Sequence, residues 1–188
     1  MAKVLFITTD YYKSNTVTSD QVGDKVLAAT IADAQAMYIE PLLGTRLYEA
    51  LKNKIIGGTL TGDYLTLMND YVVITLLKWV EHDLFYMNNY KNRNKGVSTK
   101  NSENATSVSF NELNFLMEKA ERKANFYGIK LVDYLVCNSN LFPEYCESDE
   151  GGEIAPVRSA AKTGMYLGNA KGNYYTKKDA EYWENKRR

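Results

Sequence analysis

The sequence predicts a mainly α fold: a small helical bundle of about four to five helices with a long irregular C-terminal tail, leaving room for a short strand or hairpin. Three observations carry this. Leu113, Met117, Ala120, Ala124, Tyr127, Leu131 and Tyr134 repeat at spacings of 4, 3, 4, 3, 4 and 3, a heptad-like stripe on one helix face. Leu65, Met68, Val72, Leu76 and Trp79 do the same at spacings of 3, 4, 4 and 3. Between Ile31 and Leu51, IADAQAMYIEPLLGTRLYEAL reads as a helix that stops at a proline, turns on a glycine and restarts. A chain of 188 residues is the size of one ordinary domain with an appendage and is ample for a buried core.

The elements follow in chain order. Val4-Leu5-Phe6-Ile7 is an apolar run that suits a short strand or an extended arm. Thr18-Ser19-Asp20-Gln21 has a capping-box pattern and predicts the first helix start. Leu27, Ile31, Ala34 and Tyr38 then share a face, so the helix should reach about Glu40 and stop at Pro41. Leu42, Leu43, Leu47, Tyr48 and Leu51 make a second amphipathic helix that Gly57-Gly58 ends. A long core helix is expected from Asp63 to about Asn89.

Residues 91–108, KNRNKGVSTKNSENATSV, hold few apolar side chains to offset their ordering entropy and read as a polar loop. Ser109-Phe110-Asn111-Glu112 is a second capping box ahead of the heptad-like stripe, with Gly128 a point of slight bending. A stripe of three heptads is read as a core seam between antiparallel helices of one subunit in preference to an intermolecular coiled coil. The helical body with its N-terminal arm is therefore expected over 1–146, and an extended interaction tail over 147–188.

Neutral overall, the chain is unbalanced locally: −3 over 1–90, +4 over 91–100, −1 over 101–143, −5 over 144–153 and +5 over 154–188. Adjacent blocks of opposite sign favour oriented contacts between copies or partners, and are equally consistent with solvated loops. Cys137 and Cys146, with no neighbouring histidine, make neither a disulfide framework nor a zinc site and fit a reducing cytosol. No apolar run is long enough to span a bilayer and no signal-peptide pattern opens the chain, so export and membrane insertion are not expected.

Chemistry is sparsely marked. His82, the one histidine, lies between Glu81 and Asp83, and a surface or groove histidine explains it better than a catalytic base, with no nucleophile-elbow motif elsewhere. Glu118 and Glu121 sit at i,i+3 among Lys119, Arg122 and Lys123, as solvated ion pairs do. Gly58-Thr59-Leu60-Thr61-Gly62 is followed by Asp63 in place of the Lys-Ser/Thr of a phosphate loop. No catalytic, metal or cofactor site is expected, and the chain reads as a non-enzyme.

Two sets of contact residues are expected instead. The tail holds Tyr166, Leu167, Tyr174, Tyr175, Tyr182 and Trp183 among Gly164, Gly168 and Gly172. Such aromatics are favoured where surfaces bury against a partner, and equally where a tail folds back on its own subunit. Lys91, Arg93, Lys95 and Lys100 are candidates for contact with DNA phosphates or an acidic partner. Lys177, Lys178, Lys186, Arg187 and Arg188 add a basic terminus, but without a groove-reading helix any DNA contact should be weak and nonspecific.

The run Ala34-Gln35-Ala36-Met37-Tyr38-Ile39-Glu40-Pro41-Leu42-Leu43-Gly44-Thr45-Arg46-Leu47-Tyr48 resembles the opening helices of head-tail connector proteins of tailed bacteriophages. Ser109-Phe110 and Phe142-Pro143-Glu144-Tyr145 are similar to members from phages of gut bacteria, crAss-like ones among them; the likeness covers about residues 20–146, and the tail after Cys146 has no counterpart. The resemblance implies a structural virion protein of the neck, assembled in the bacterial cytoplasm as a ring, commonly a dodecamer, beneath the portal protein. That ring would continue the DNA channel, touch the passing duplex nonspecifically and dock the next neck or tail protein. Gln35, Pro41, Leu42, Leu43, Gly44 and Tyr48 are the positions matching the family's structural motif. A small nucleic-acid-binding accessory or assembly protein is the alternative.

Overall fold

The computed structural model describes residues 4–17, 22–93, 96–99, 110–146 and 153–157. Four principal helical rods make the body. The first joins α2 (Asp24–Ala34), a π turn (Gln35–Ile39) and α3 (Glu40–Leu43). The second is α4 (Thr45–Ile56), and the third joins α5 (Gly62–Leu67), a π turn (Met68–Val72) and α6 (Val73–Asn89). The fourth is α7 (Phe110–Cys137); α1 (Thr9–Asn15) precedes the rods and α8 (Pro143–Cys146) follows them. The fold is mainly α, as the periodicities predict.

The core is where those periodicities place it. Leu27, Ile31, Ala34, Ile39, Leu43, Leu47, Leu51, Leu67, Val72, Leu76, Val80, Leu131 and Leu135 are all buried in one cluster, each leucine, isoleucine or valine stabilising by about 1.5–3 kcal/mol. Tyr71 stacks on Tyr134 (4.0 Å, 18°) at one end of the α6–α7 pair, while His82 faces Asn114 and Glu121 at the other, so the two rods run antiparallel. The 113–134 stripe is thus a seam within the subunit. Gly128 is a point of close approach: a Cβ there would meet Leu42 Cδ1 at 3.5 Å.

Pro41 does not stop the first helix. In a regular helix its ring collides with the carbonyl four residues back. The π turn before it, closed by Glu40 N–H donating to the Gln35 carbonyl, widens the backbone and carries the helix through to Leu43. The break falls at Gly44, whose φ of 77° and ψ of 154° only glycine adopts readily. Leu42 and Leu43 consequently end the first rod and do not begin the second.

Other expectations are revised. Of the two forms expected for residues 4–7, the strand is absent; the segment is an arm that bends at Phe6 and Ile7, both buried. The arm leads into α1, a helix not foreseen, capped by Thr8 Oγ1 accepting from Tyr11 N at 3.1 Å. Thr18–Gln21 lie outside the described residues, and α2 begins at Asp24. The segment expected as a loop from 91 opens instead with a hairpin, β1 (Tyr90–Arg93) antiparallel to β2 (Gly96–Thr99) with Arg93 opposite Gly96. Residues 100–109, Ser109 of the second capping box among them, lie outside the described residues.

Partly buried tyrosines set an alkaline limit on stability. Tyr38 is pushed up to about 12, first by burial and then by the carboxylate of Asp83, which accepts its hydroxyl at 3.2 Å. Tyr64 is likewise raised to about 12, by burial and by donation to Glu144 Oε2 at 2.7 Å. Below pH 10 both are protonated whether folded or not; above it the unfolded chain ionises first, so stability is lost as pH rises toward 12. Urea midpoints measured from pH 9 to 12 should fall steeply, and less steeply in Tyr38→Phe and Tyr64→Phe.

Candidate functional site at the Pro41–Gly44 turn

The segment 35–48 gathers both ends of the described chain. On one side stands Gln35, 2% exposed. Its Oε1 accepts from Phe6 N at 2.9 Å, and its Nε2 donates to the Val4 carbonyl at 3.0 Å and to the Tyr48 hydroxyl at 2.9 Å. A buried carboxamide has few ways to satisfy all its polar atoms, and here the arm's backbone supplies two of them. The ring of Phe6 then packs on Tyr48 at 5.3 Å. Burial raises the Tyr48 hydroxyl above its usual range, so it stays a neutral partner.

On the other side residues 153–157 lie across the helix break as a strap. Where α3 ends and α4 begins, backbone groups lack helical partners. Val157 N donates to the Pro41 carbonyl at 3.0 Å, and Thr45 N donates to the Ile154 carbonyl at 3.1 Å. Ile154 N donates in return to Thr45 Oγ1 at 2.9 Å. Arg46 Nε meets Glu153 Oε2 at 2.7 Å with both side chains about one-quarter exposed, and the Tyr145 hydroxyl donates to the Val157 carbonyl at 3.4 Å. Pro156 closes the contact: a Cβ on Gly44 would lie 2.8 Å from its Cδ. The strap therefore caps two helix ends at once and requires glycine at the turn.

All six motif residues belong to this clasp or its immediate packing: Gln35, Pro41, Gly44 and Tyr48 by the contacts above, Leu43 by burial beneath the turn, and Leu42 against α7 at Gly128. Thr45, Arg46, Glu153, Ile154, Pro156 and Val157 were not foreseen. A short apolar run containing a proline and following Gly151-Gly152 was the available signal. Lys91 and Arg93 lie on β1, but their side chains, together with Lys95, Lys100, Tyr166, Leu167, Tyr174, Tyr175, Tyr182 and Trp183, lie outside the described residues.

His82 sits elsewhere, in an open groove of 490 Å³ between α6 and the first turns of α7. Its Nδ1 pairs with Asp83 Oδ1 at 2.9 Å, and its ring meets Trp79 edge-on at 5.7 Å. Trp79 in turn stacks on Tyr38 at 3.9 Å. Asn111, Asn114, Phe115, Met117, Glu118 and Glu121 form the rest of the wall, with no hydroxyl or thiol nucleophile among them. No group of three or more metal-ligating side chains occurs among the described residues, and no described helix is long and apolar enough to cross a membrane.

Fold and site define a small helical scaffold whose central turn fastens the root of a C-terminal extension. The chain belongs to DUF6712, a family of unknown function whose model matches residues 39–154. That match runs from the last residue of the π turn to the strap residue that pairs with Thr45; it takes in the Pro41–Gly44 turn with Glu153 and Ile154 of the strap, and leaves Gln35, the arm, Pro156 and Val157 outside. No curated protein and no solved structure matches the chain.

Proposed function

We propose that this chain is a structural adaptor of a phage neck: a ring-forming protein, in number a dodecamer, that sits between the portal and the next neck or tail component and continues the DNA channel. The observation that carries this reading is the clasp. Fixing 153–157 to a rigid helix junction makes Val157 a defined exit point for the 31 residues 158–188, which hold the spaced tyrosines and the positive charge block. A tethered aromatic arm leaving a rigid body is the arrangement expected of a subunit that grips its neighbours, and blocks of opposite charge suit the head-to-tail contacts that close a ring. The likeness of 34–48 to head-tail connectors supplies the assembly.

Because the strap belongs to the body, the informative truncation follows Val157 and spares the clasp. Deleting 158–188 should leave helical content and thermal midpoint close to the full chain while abolishing co-purification with the portal protein and incorporation into particles. Normal incorporation would overturn the role given to the tail. The hairpin favours one second reading, since it places Lys91 and Arg93 two residues apart on one strand: duplex binding at physiological salt that weakens steeply as salt rises would indicate a nucleic-acid-binding accessory protein.

A further inference from the structure

We propose that the groove between α6 and α7 is the docking site for the chain's own terminal segment, residues 182–188, with Trp183 against Phe115 and the basic end against Glu118 and Glu121. The groove follows one face of α7. Asn111, Asn114, Phe115, Glu118 and Glu121 recur at helical spacing, and His82 of α6 stands opposite. Its chemistry is that of a peptide-binding surface. Two carboxamides one turn apart can accept from and donate to an extended backbone, an aromatic ring 65% exposed leaves apolar area to cover, and two carboxylates follow one and two turns on.

Glu118 is held by Arg122 at 2.8 Å, but both partners are more than half exposed. Such a pair contributes little and exchanges readily for an incoming cation. Glu121 accepts from Asn125 at 3.4 Å and adds a second carboxylate to the groove wall.

The terminal segment matches in charge, residue type and spacing. Tyr182 and Trp183 are followed by Lys186, Arg187 and Arg188. From Phe115 to Glu121 is about 9 Å along the helix axis, and from Trp183 to Lys186 is about 10 Å of extended chain, so the aromatic and cationic contacts form in register when the segment runs parallel to α7. Twenty-four residues lie between Val157 and Tyr182, a reach of up to roughly 80 Å. Tethering at that length holds the segment at an effective concentration near millimolar, which favours the groove of the same chain. The proposal does not depend on the neck assignment.

A photoreactive benzophenone side chain in place of Trp183, in the otherwise intact protein, tests it. Benzophenones insert preferentially at methionine, and Met117 lines the groove. Irradiation followed by peptide mass spectrometry should give cross-links concentrated on 111–121, within single copies when heavy- and light-isotope protein are mixed. Glu118→Lys with Glu121→Lys changes side chains outside the core and should lower the yield by roughly fivefold or more, with circular dichroism verifying an unchanged fold. Cross-links scattered over the body, or insensitive to charge reversal, would overturn the proposal. Products joining differently labelled copies would assign the groove to a second copy's tail and overturn the intramolecular docking. A chain that cross-links as expected yet is missing from phage particles would retain this inference while losing the adaptor function.

Discussion

Substituting Gly44 by alanine is expected to destabilise the fold by about 2–4 kcal/mol. Two terms add. The backbone at φ 77°, ψ 154° lies in a region that L side chains rarely adopt, and the new Cβ would stand 2.8 Å from a rigid proline ring. Relief of the clash requires the strap to lift, which would strand the Pro41 carbonyl and the Thr45 amide. A double-mutant cycle separates the terms. Pro156→Ala removes the ring atoms at 2.8 and 3.2 Å but keeps the Cβ at 3.1 Å, so it should recover most of the steric part in the Gly44→Ala background and leave the backbone part. In wild type Pro156→Ala should cost much less. Urea midpoints read the stability, and hydrogen exchange at Thr45 N and Val157 N reads the strap itself. Additive effects of the two substitutions would contradict the packing described here.

Gln35→Leu should be comparably damaging, at about 2–4 kcal/mol. Leucine matches the volume of the buried site yet leaves the Phe6 amide, the Val4 carbonyl and the Tyr48 hydroxyl without the partner each now has. An unsatisfied buried polar group costs more than the hydrogen bond itself contributes. The arm should detach first, because it holds to the body through those bonds and the burial of Phe6 and Ile7. Fast exchange of the Phe6 amide, with the α6–α7 seam still protected, is the expected signature. Gln35→Glu should not rescue, since a carboxylate cannot donate to Val4 and is itself costly to bury. Unchanged Phe6 exchange in Gln35→Leu would show that the carboxamide does not anchor the arm.

The parts of this structure that are legible in sequence are those written in long periods. The stripe from Leu113 to Tyr134 repeats over three heptads on an uninterrupted helix, so one face is specified many times and no single residue can mislead. The same holds from Met68 to Leu76, where the π turn at Met68–Val72 shifts the register without breaking the run of buried side chains, whereas Leu65 is 40% exposed and Trp79 only partly buried. Pro41 misleads because its usual consequence is local and its accommodation is not: a π turn leaves no mark in the spacing of apolar residues. The hairpin at 90–99 escapes because its residues are polar, and its pairing depends on backbone bonds that composition does not record.

The clasp was half visible. Gln35, Pro41, Gly44 and Tyr48 stand out as a motif, but what they hold does not. Gln35 finds Phe6 across 29 positions, and Arg46 finds Glu153 across 107. A five-residue strap carries no periodicity, and its main-chain bonds to Pro41 and Thr45 place almost no demand on side-chain identity except at Gly44 and Pro156. Long-range pairing of that kind becomes apparent only with the fold in hand.

The measurement that bears most directly on the proposed adaptor function is cryo-electron microscopy of intact virus particles from the source of this chain. The account predicts a closed ring of helical bundles of this chain directly beneath the portal, with residues 158–181 reaching onto an adjacent protein. A neck built without this chain would contradict it.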